Sequence, residues 1–281
     1  MTEEVKNIIE HEFKCLDHGF VRLIDVMGDD SSIVQAARVS YGKGTKSVNE
    51  DRGLIRYLMR HRHTTPFEMV EFKFHVKLPI FVARQWIRHR TANVNEYSGR
   101  YSEMKDEFYQ PEETQIKIQS QNNKQGRADT GFDSVTTDII NDILDNNQQN
   151  SFHDYQKLLE LGLAREISRI VLPVSNYTEW YWKIDLHNLF HFLSLRLDSH
   201  AQYEIRVYAE VIADIVKKAV PFAYEAFVDY QLNSVYFSKS ELNIIKKFIP
   251  EILPQVDDLV NSGLSKREAV EFLEKIKKMK G

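Results

Sequence analysis

Residues 69–78 carry the pattern that most restricts the fold of this chain. Val70, Phe72, Phe74, Val76 and Leu78 alternate with Glu71, Lys73, His75 and Lys77. A period of two puts the first set on one face of a β-strand and the second on the other. The spacing therefore predicts a sheet with one buried and one polar face. Pro79 follows, and proline is tolerated in the first turn of a helix, so PIFVARQWIRHR reads as a helix directly after that strand. From Asp185 the period changes. Leu189, Leu193, Leu197, Ala201, Ile205, Tyr208, Ile212 and Ile215 recur at helical spacing to about residue 219. This predicts one long central helix of about nine turns, the spine of the scaffold. The 11 glycines and 7 prolines in 281 residues are roughly half the usual share, which argues against a turn-rich all-β sandwich.

The remaining elements are shorter. Ser31 or Ser32 is placed to cap a helix suggested by Ile33, Ala36 and Ala37. Residues 50–61 read as a helix with Leu54, Ile55, Leu58 and Met59 on one face, and Pro66 ends that region. Residues 110–150 are rich in Gln, Asn and Asp and read as an exposed loop or insertion. A helix over about 151–170 follows, ending near Pro173. The tail beyond about residue 232 is Lys-rich and helical in pattern, with Ser265 and Glu268 spaced as a capping box. These shifts divide the chain into residues 1–231 and an extension, 232–281.

Composition narrows the function. Lys and Arg number 37 against 41 Asp and Glu, a net charge of -4, so general nucleic-acid binding is disfavoured. Cys15 is the single cysteine, which excludes an intrachain disulfide and a cysteine zinc cluster. The residues around it form no basic-neighbour pattern that would activate it as a thiolate. No apolar run approaches the ~18 residues of a membrane span, and no basic leader precedes one, so the expected setting is soluble and cytoplasmic. GxGxxG and P-loop motifs are absent. His187 and His191 are four apart, but His-Asn-Leu-Phe-His lacks the zincin glutamate, so no metal site is expected.

Two segments are dense in polar side chains. The first is RQWIRHRTANVNEYSGRY, residues 84–101. Guanidinium groups match phosphate and carboxylate oxygens in a two-pronged geometry. A helix over 84–90 puts Arg84 and Arg88 on one face. An extended 95–101 puts Glu96, Ser98 and Arg100 on one side and Tyr97, Gly99 and Tyr101 on the other. The second segment, 164–206, holds Arg165, Arg169, Arg196, Asp198, His200, Gln202, Glu204 and Arg206. Such charges need partners or a ligand if they face inward and neither if they face water, and spacing alone leaves both readings open.

The run Arg88-His89-Arg90, seven intervening residues and then Ser98, resembles the motif of the flavin-dependent thymidylate synthases. The match extends to AARVSYG at 36–42, HTTPFE at 63–68, FHVKLPIFVARQW at 74–86, SGRY at 98–101, RIVLP at 169–173, YT at 177–178 and LRLDSHAQYEIR at 195–206. In all it covers about residues 14–231.

The resemblance implies an α+β fold, a twisted, mostly antiparallel sheet flanked by helices, assembled as a homotetramer with active sites where subunits meet. It implies reductive methylation of dUMP to dTMP, with 5,10-methylenetetrahydrofolate as carbon donor and NADPH-reduced FAD as hydride source. Gln85, Trp86, Ile87, Arg88, Glu96, Tyr97, Ser98, Gly99, Arg100, Arg169 and Arg196 then fall at nucleotide-binding positions. Thr65, Arg88, His89, Arg90, Glu96, Asp185, Leu186, His187 and His191 fall around FAD. Arg196 matches the arginine that favours ionisation of the uracil N3, since a fixed positive charge lowers the pKa of a neighbouring N–H. At 185–191 the family pattern has Asn-x-Arg and a later Asn, whereas this chain has Asp185, His187 and His191. A nucleotide- or RNA-binding module on the same scaffold is the competing reading, and the net charge weighs against RNA.

Overall fold

A computed structural model describes residues 3–39, 48–248 and 253–280. After a short helix α1 (Glu3–Lys6), β1 (Glu12–Cys15) and β2 (Gly19–Met27) form a hairpin. Helices α2 (Asp30–Arg38) and α3 (Val48–Arg60) lead through a 3-10 turn, Thr65–Met69, to β3 (Glu71–Pro79). The predicted alternation is present: Phe72, Phe74, Val76 and Leu78 are fully buried. Lys77 is also buried, and its ammonium pairs with Glu107 at 2.7 Å.

Pro79 stands at the N-cap of α4 (Ile80–Trp86), which leads into β4 (Asn93–Glu96). A small hairpin, β5 (Lys117–Gln119) and β6 (Arg127–Gly131), precedes α5 (Ser134–Glu160) and α6 (Arg165–Ser168). Then come β7 (Tyr177–Asp185), α7 (Leu186–Arg196), α8 (Tyr203–Ala219) and α9 (Pro221–Phe227). The main sheet has order β1-β2-β3-β7-β4 and every pairing is antiparallel. The chain is thus α+β, as the resemblance implies.

Register decides where the core lies. Phe72 pairs with Ile184, Phe74 with Trp182 and Val76 with Trp180, and opposite residues share a face. Trp86, from α4, closes this face. Its ring centroid lies 5.1 Å from that of Trp182, 5.7 Å from Trp180, 4.8 Å from Phe192 on α7 and 5.9 Å from Tyr208 on α8. Such perpendicular and tilted contacts suit aromatic quadrupoles. The Tyr208 hydroxyl donates to the Lys77 carbonyl at 2.9 Å. It also presses on Gly19, where a Cβ would lie 2.0 Å from the hydroxyl oxygen, so only glycine fits.

Three expectations are corrected. The spine is not one helix: α7 ends at Arg196 and α8 begins at Tyr203. Asp198 accepts hydrogen bonds from the backbone N and ring Nδ1 of His200, at 2.7 and 2.8 Å, a local turn that competes with the helix. The apolar period passes through the break because both helices bury side chains in one core: Leu193 before it, Ile205, Tyr208 and Ile212 after it.

Second, residues 110–150 are not mainly loop. Asp133 caps a 27-residue helix by accepting from Thr136 N at 2.9 Å. Only Gln148 and Tyr155 of that helix are buried, so little apolar periodicity announces it. The helix expected from 151 therefore starts at Ser134 and stops at Glu160. Third, Asp29 rather than either serine caps α2, accepting from Ser31 N at 3.0 Å while Ser32 Oγ accepts from Asp29 N at 3.3 Å. Ser40, Tyr41 and Gly42 of the AARVSYG stretch lie outside the described residues.

Contacts group the chain into two compact units, divided between Leu232 and Asn233. The second unit holds α10 (Lys239–Ile245), α11 (Val256–Asn261) and α12 (Lys266–Lys280). The Ser265 capping box forms, with Glu268 N donating to Ser265 Oγ at 3.3 Å and Ser265 N to Glu268 Oε2 at 2.9 Å. Among the described residues no helix is long and apolar enough to cross a membrane.

Candidate active site

The broken spine places Arg196 in the last turn of α7. There its Nε donates to His89 Nε2 at 3.1 Å. A ring nitrogen that accepts carries no proton, so His89 is neutral with its hydrogen on Nδ1. Burial, the Arg196 charge and His191 push the His89 pKa down to about 4. Burial also lowers Arg196 from its ordinary value. The His89 ring packs against Phe192 and His191, with centroids 5.0 and 5.9 Å apart. With Nε engaged, the two Nη groups of Arg196 are left for a ligand.

On the neighbouring residues of α4, Gln85 Nε2 donates to Gln202 Oε1. Arg88 and Arg90 follow the helix, exposed and with no carboxylate of the described residues in ion-pair range. Ile87 is exposed as well, whereas the Trp86 side chain is sealed in the core, so only the Trp86 main chain can reach a ligand.

A second group forms around residues 96–104. Glu96 ends β4 and accepts from Thr178 Oγ1 at 2.9 Å. The strand stops there. Tyr101 N turns back to the Ser98 carbonyl at 3.1 Å and Arg100 N to Ser98 Oγ at 3.3 Å. The expected extended row of Glu96, Ser98 and Arg100 is therefore a strand end followed by a turn. Tyr97 is held by its hydroxyl on the Glu103 carbonyl at 2.6 Å. Gly99 is buried against Arg169: a Cβ there would sit 2.9 Å from Met104 Sδ and 3.1 Å from Arg169 Cδ. Arg100 pairs with Glu166 at 3.1 Å and Arg165 with Glu103 at 3.2 Å. Arg169 is exposed, with no carboxylate partner among the described residues.

The third group lies where β7 meets α7. Leu186 N bonds the Val70 carbonyl at 2.8 Å, which ties this junction to the end of the turn bearing Thr65. Asp185 is the N-cap of α7, accepting from Asn188 N at 3.0 Å and Nδ2 at 2.7 Å. The Leu186 side chain is fully buried and offers a ligand only its main chain. Thr65 and His191 are exposed and His187 is half-buried. Among the described residues no three His, Cys, Asp or Glu side chains cluster to hold a metal. Gln202 and Glu204 were not among the residues expected to hold a ligand. The sequence offered their place in the polar 164–206 segment and in the LRLDSHAQYEIR block, but not their partners, since hydrogen bonds between distant side chains leave no periodic trace.

Comparison with known proteins fits this arrangement. The family model for thymidylate synthase complementing protein matches residues 22–222. A flavin-dependent thymidylate synthase of Wolbachia pipientis wMel is 61% identical over 249 residues, covering 89% of this chain and 87% of that one. One from Ehrlichia ruminantium strain Gardel is 57% identical over 275 residues, covering 98% and 91%. Among solved structures, the UMP/dUMP methylase PolB of Streptomyces cacaoi bound with 5-Br UMP superposes with a TM-score of 0.70 at 36% identity, covering 79% of this chain and 99% of that one. Its complex with 5-Br dUMP gives 0.71 at 35% identity. The chain is an enzyme of the thymidylate synthase complementing protein family, the flavin-dependent thymidylate synthases.

Proposed function

We propose that this protein converts dUMP to dTMP by reductive methylation, taking the carbon from 5,10-methylenetetrahydrofolate and the hydride from FAD reduced by NADPH, and releasing tetrahydrofolate. The observation that carries the reading is the set of guanidinium groups with no internal partner. Arg88, Arg90 and Arg169 are exposed and unpaired among the described residues, and Gly99 leaves the Arg169 stem room to pass the Ser98 turn. Exposed forks of this kind fit phosphate oxygens, as carried by both the nucleotide and FAD. The donor set thus fits both ligands.

Gln85, Arg88, Glu96, Ser98, Gly99, Arg100 and Arg169 would hold the nucleotide, with the main chain of Trp86 and Ile87 and the ring of Tyr97 beside it. Thr65, Arg88, His89, Arg90, Glu96, Asp185, His187, His191 and the Leu186 main chain would hold FAD, which when bound supplies the two-electron redox chemistry. Arg196 is the catalytic residue. Its Nη groups present fixed positive charge where the uracil ring gains negative charge, and a site already organised needs little rearrangement during reaction. His89 fixes the Arg196 fork through Nε and, being neutral, adds no competing cation.

The reading includes a homotetramer in which neighbouring subunits complete each site, in a cytoplasmic setting; guanidinium groups exposed with no counter-charge among the described residues support it. The test is a visible absorption spectrum of the protein loaded with FAD and freed of excess, with dUMP titrated in, followed by dUMP-dependent NADPH oxidation with methylenetetrahydrofolate. A flavin spectrum that shifts with nucleotide, together with turnover to dTMP, is expected. A protein that retains no flavin and forms no dTMP overturns the reading.

A further inference from the structure

Glu204 is 1% exposed, the most deeply buried carboxylate among the described residues, and the proposed chemistry does not use it. Its Oε1 accepts from the Tyr109 hydroxyl at 3.0 Å and pairs with the Arg127 guanidinium. Its Oε2 accepts from Gln202 Nε2 at 2.8 Å. The Gln202 Oε1 then accepts from Gln85 Nε2. An ionised carboxylate has no hydrogen to give, whereas an amide has a donor end and an acceptor end. Glu204 therefore fixes which end of Gln202 faces it. That leaves the Gln202 oxygen towards Gln85 and obliges Gln85 to turn its nitrogen inward. Reversing either amide would set two acceptors or two donors against each other in a half-buried space, which is costly.

The backbone bears the mark of this arrangement. Gln202 occupies the N-cap position of α8 yet makes no side-chain cap bond, although that position favours Ser, Thr, Asp or Asn. A local rule is set aside, as happens at functional sites.

We infer that Glu204 and Gln202 are positioning residues which lock the amide of Gln85, so that its free oxygen and its second N–H meet the nucleotide in one fixed order. Arg127 of the β5–β6 hairpin and Tyr109 hold the buried charge in place. The inference rests on the proposed reading of Gln85 as a nucleotide contact.

The experiment is a double-mutant cycle, read by calorimetric titration of dUMP into the FAD-loaded protein. Gln202→Met keeps length and volume and removes the relay while leaving the Glu204 pairs with Tyr109 and Arg127. It is expected to weaken dUMP binding roughly tenfold in the native background, the scale of one well-placed hydrogen bond. In a Gln85→Ala background it should add nothing. Glu204→Gln, isosteric but able to donate, is the second variant, expected to weaken binding in the native background alone. Melting temperature and flavin retention accompany each variant, and FAD retention should be unchanged. Equal losses in both backgrounds, or no loss from either variant, overturn the inference while leaving the functional reading intact. If Gln85→Ala itself binds dUMP normally, Gln85 is not a nucleotide contact and the inference falls with that assignment. If the native protein binds no dUMP, the functional reading is what has failed.

Discussion

Two sets of arginines in the first unit have opposite surroundings. At the seam of α3 and α9, Arg52 forms a two-pronged pair with Glu225 at 2.9 and 2.7 Å. Arg56 reaches Glu225 at 3.0 Å and also Asp229, with its guanidinium 4.9 Å from the Tyr230 ring centre. Beyond α4 and beside α6, Arg88, Arg90 and Arg169 have no carboxylate partner among the described residues. Arginine in the first cluster joins elements. In the second it is exposed charge whose counter-charge the described chain does not supply. Arginine content alone marks neither as a site; the absence of internal acceptors does.

The comparison breaks if the unpaired cluster proves idle. The largest effect is expected at Arg196, whose Nη groups are free while its Nε is held by His89. Arg196→Ala should cut kcat/KM for dUMP by roughly 10²–10³, the scale of removing one charge-stabilising donor, with the melting temperature nearly unchanged. Steady-state NADPH oxidation at varied dUMP measures it, and full activity would refute the proposed ring activation.

A smaller loss is expected at the unpaired forks. Arg169→Ala should raise the dUMP dissociation constant by about 10- to 100-fold, as for loss of a charge-assisted contact. Stability should hold or rise, because no ion pair is lost and like charge is removed. The affinity deficit should shrink at high salt, where the native protein also binds more weakly. A variant that unfolds instead would place Arg169 with the structural arginines.

The paired cluster should answer in reverse. Glu225→Gln strips a charge from both Arg52 and Arg56, and exposed pairs are worth about 1 kcal/mol or less each. The expectation is a loss of about 1 kcal/mol in urea unfolding with dUMP affinity unaltered. A change in affinity without a change in stability would erase the distinction between the clusters.

The legible features were those written in period or in a contiguous motif. β3 declared itself because alternate side chains meet alternate environments, and Ser265 with Glu268 because a capping box is local. The Arg88-His89-Arg90 run stood out because several guanidiniums fall within a few residues. The break at Asp198 was hidden because α7 and α8 bury side chains in the same core, so the apolar rhythm never falters. Most of α5 was hidden for the opposite reason: with Gln148 and Tyr155 as its only buried residues, it has almost no rhythm to read. The contacts of Arg196 with His89, and of Gln85 with Gln202, join residues more than a hundred positions apart and depend on tertiary placement.

The smallest expected effect concerns protonation of His89, the residue that holds Arg196. Its folded pKa, about 4, lies below the ordinary 6.5 because burial and the Arg196 charge disfavour imidazolium. The unfolded chain therefore takes up the proton first as pH falls, so the stability tied to neutral His89 is whole above pH 6.5 and is lost progressively towards pH 4. The residue is only half-buried, and after discounting for screening by water the loss is on the order of 1 kcal/mol or less. Urea unfolding at pH 7, 6, 5 and 4 should show the native protein losing more stability than His89→Gln across this window. If His89→Gln runs parallel to the native protein, His89 is not held neutral by Arg196, and the fork of Arg196 must be oriented by something other than that hydrogen bond.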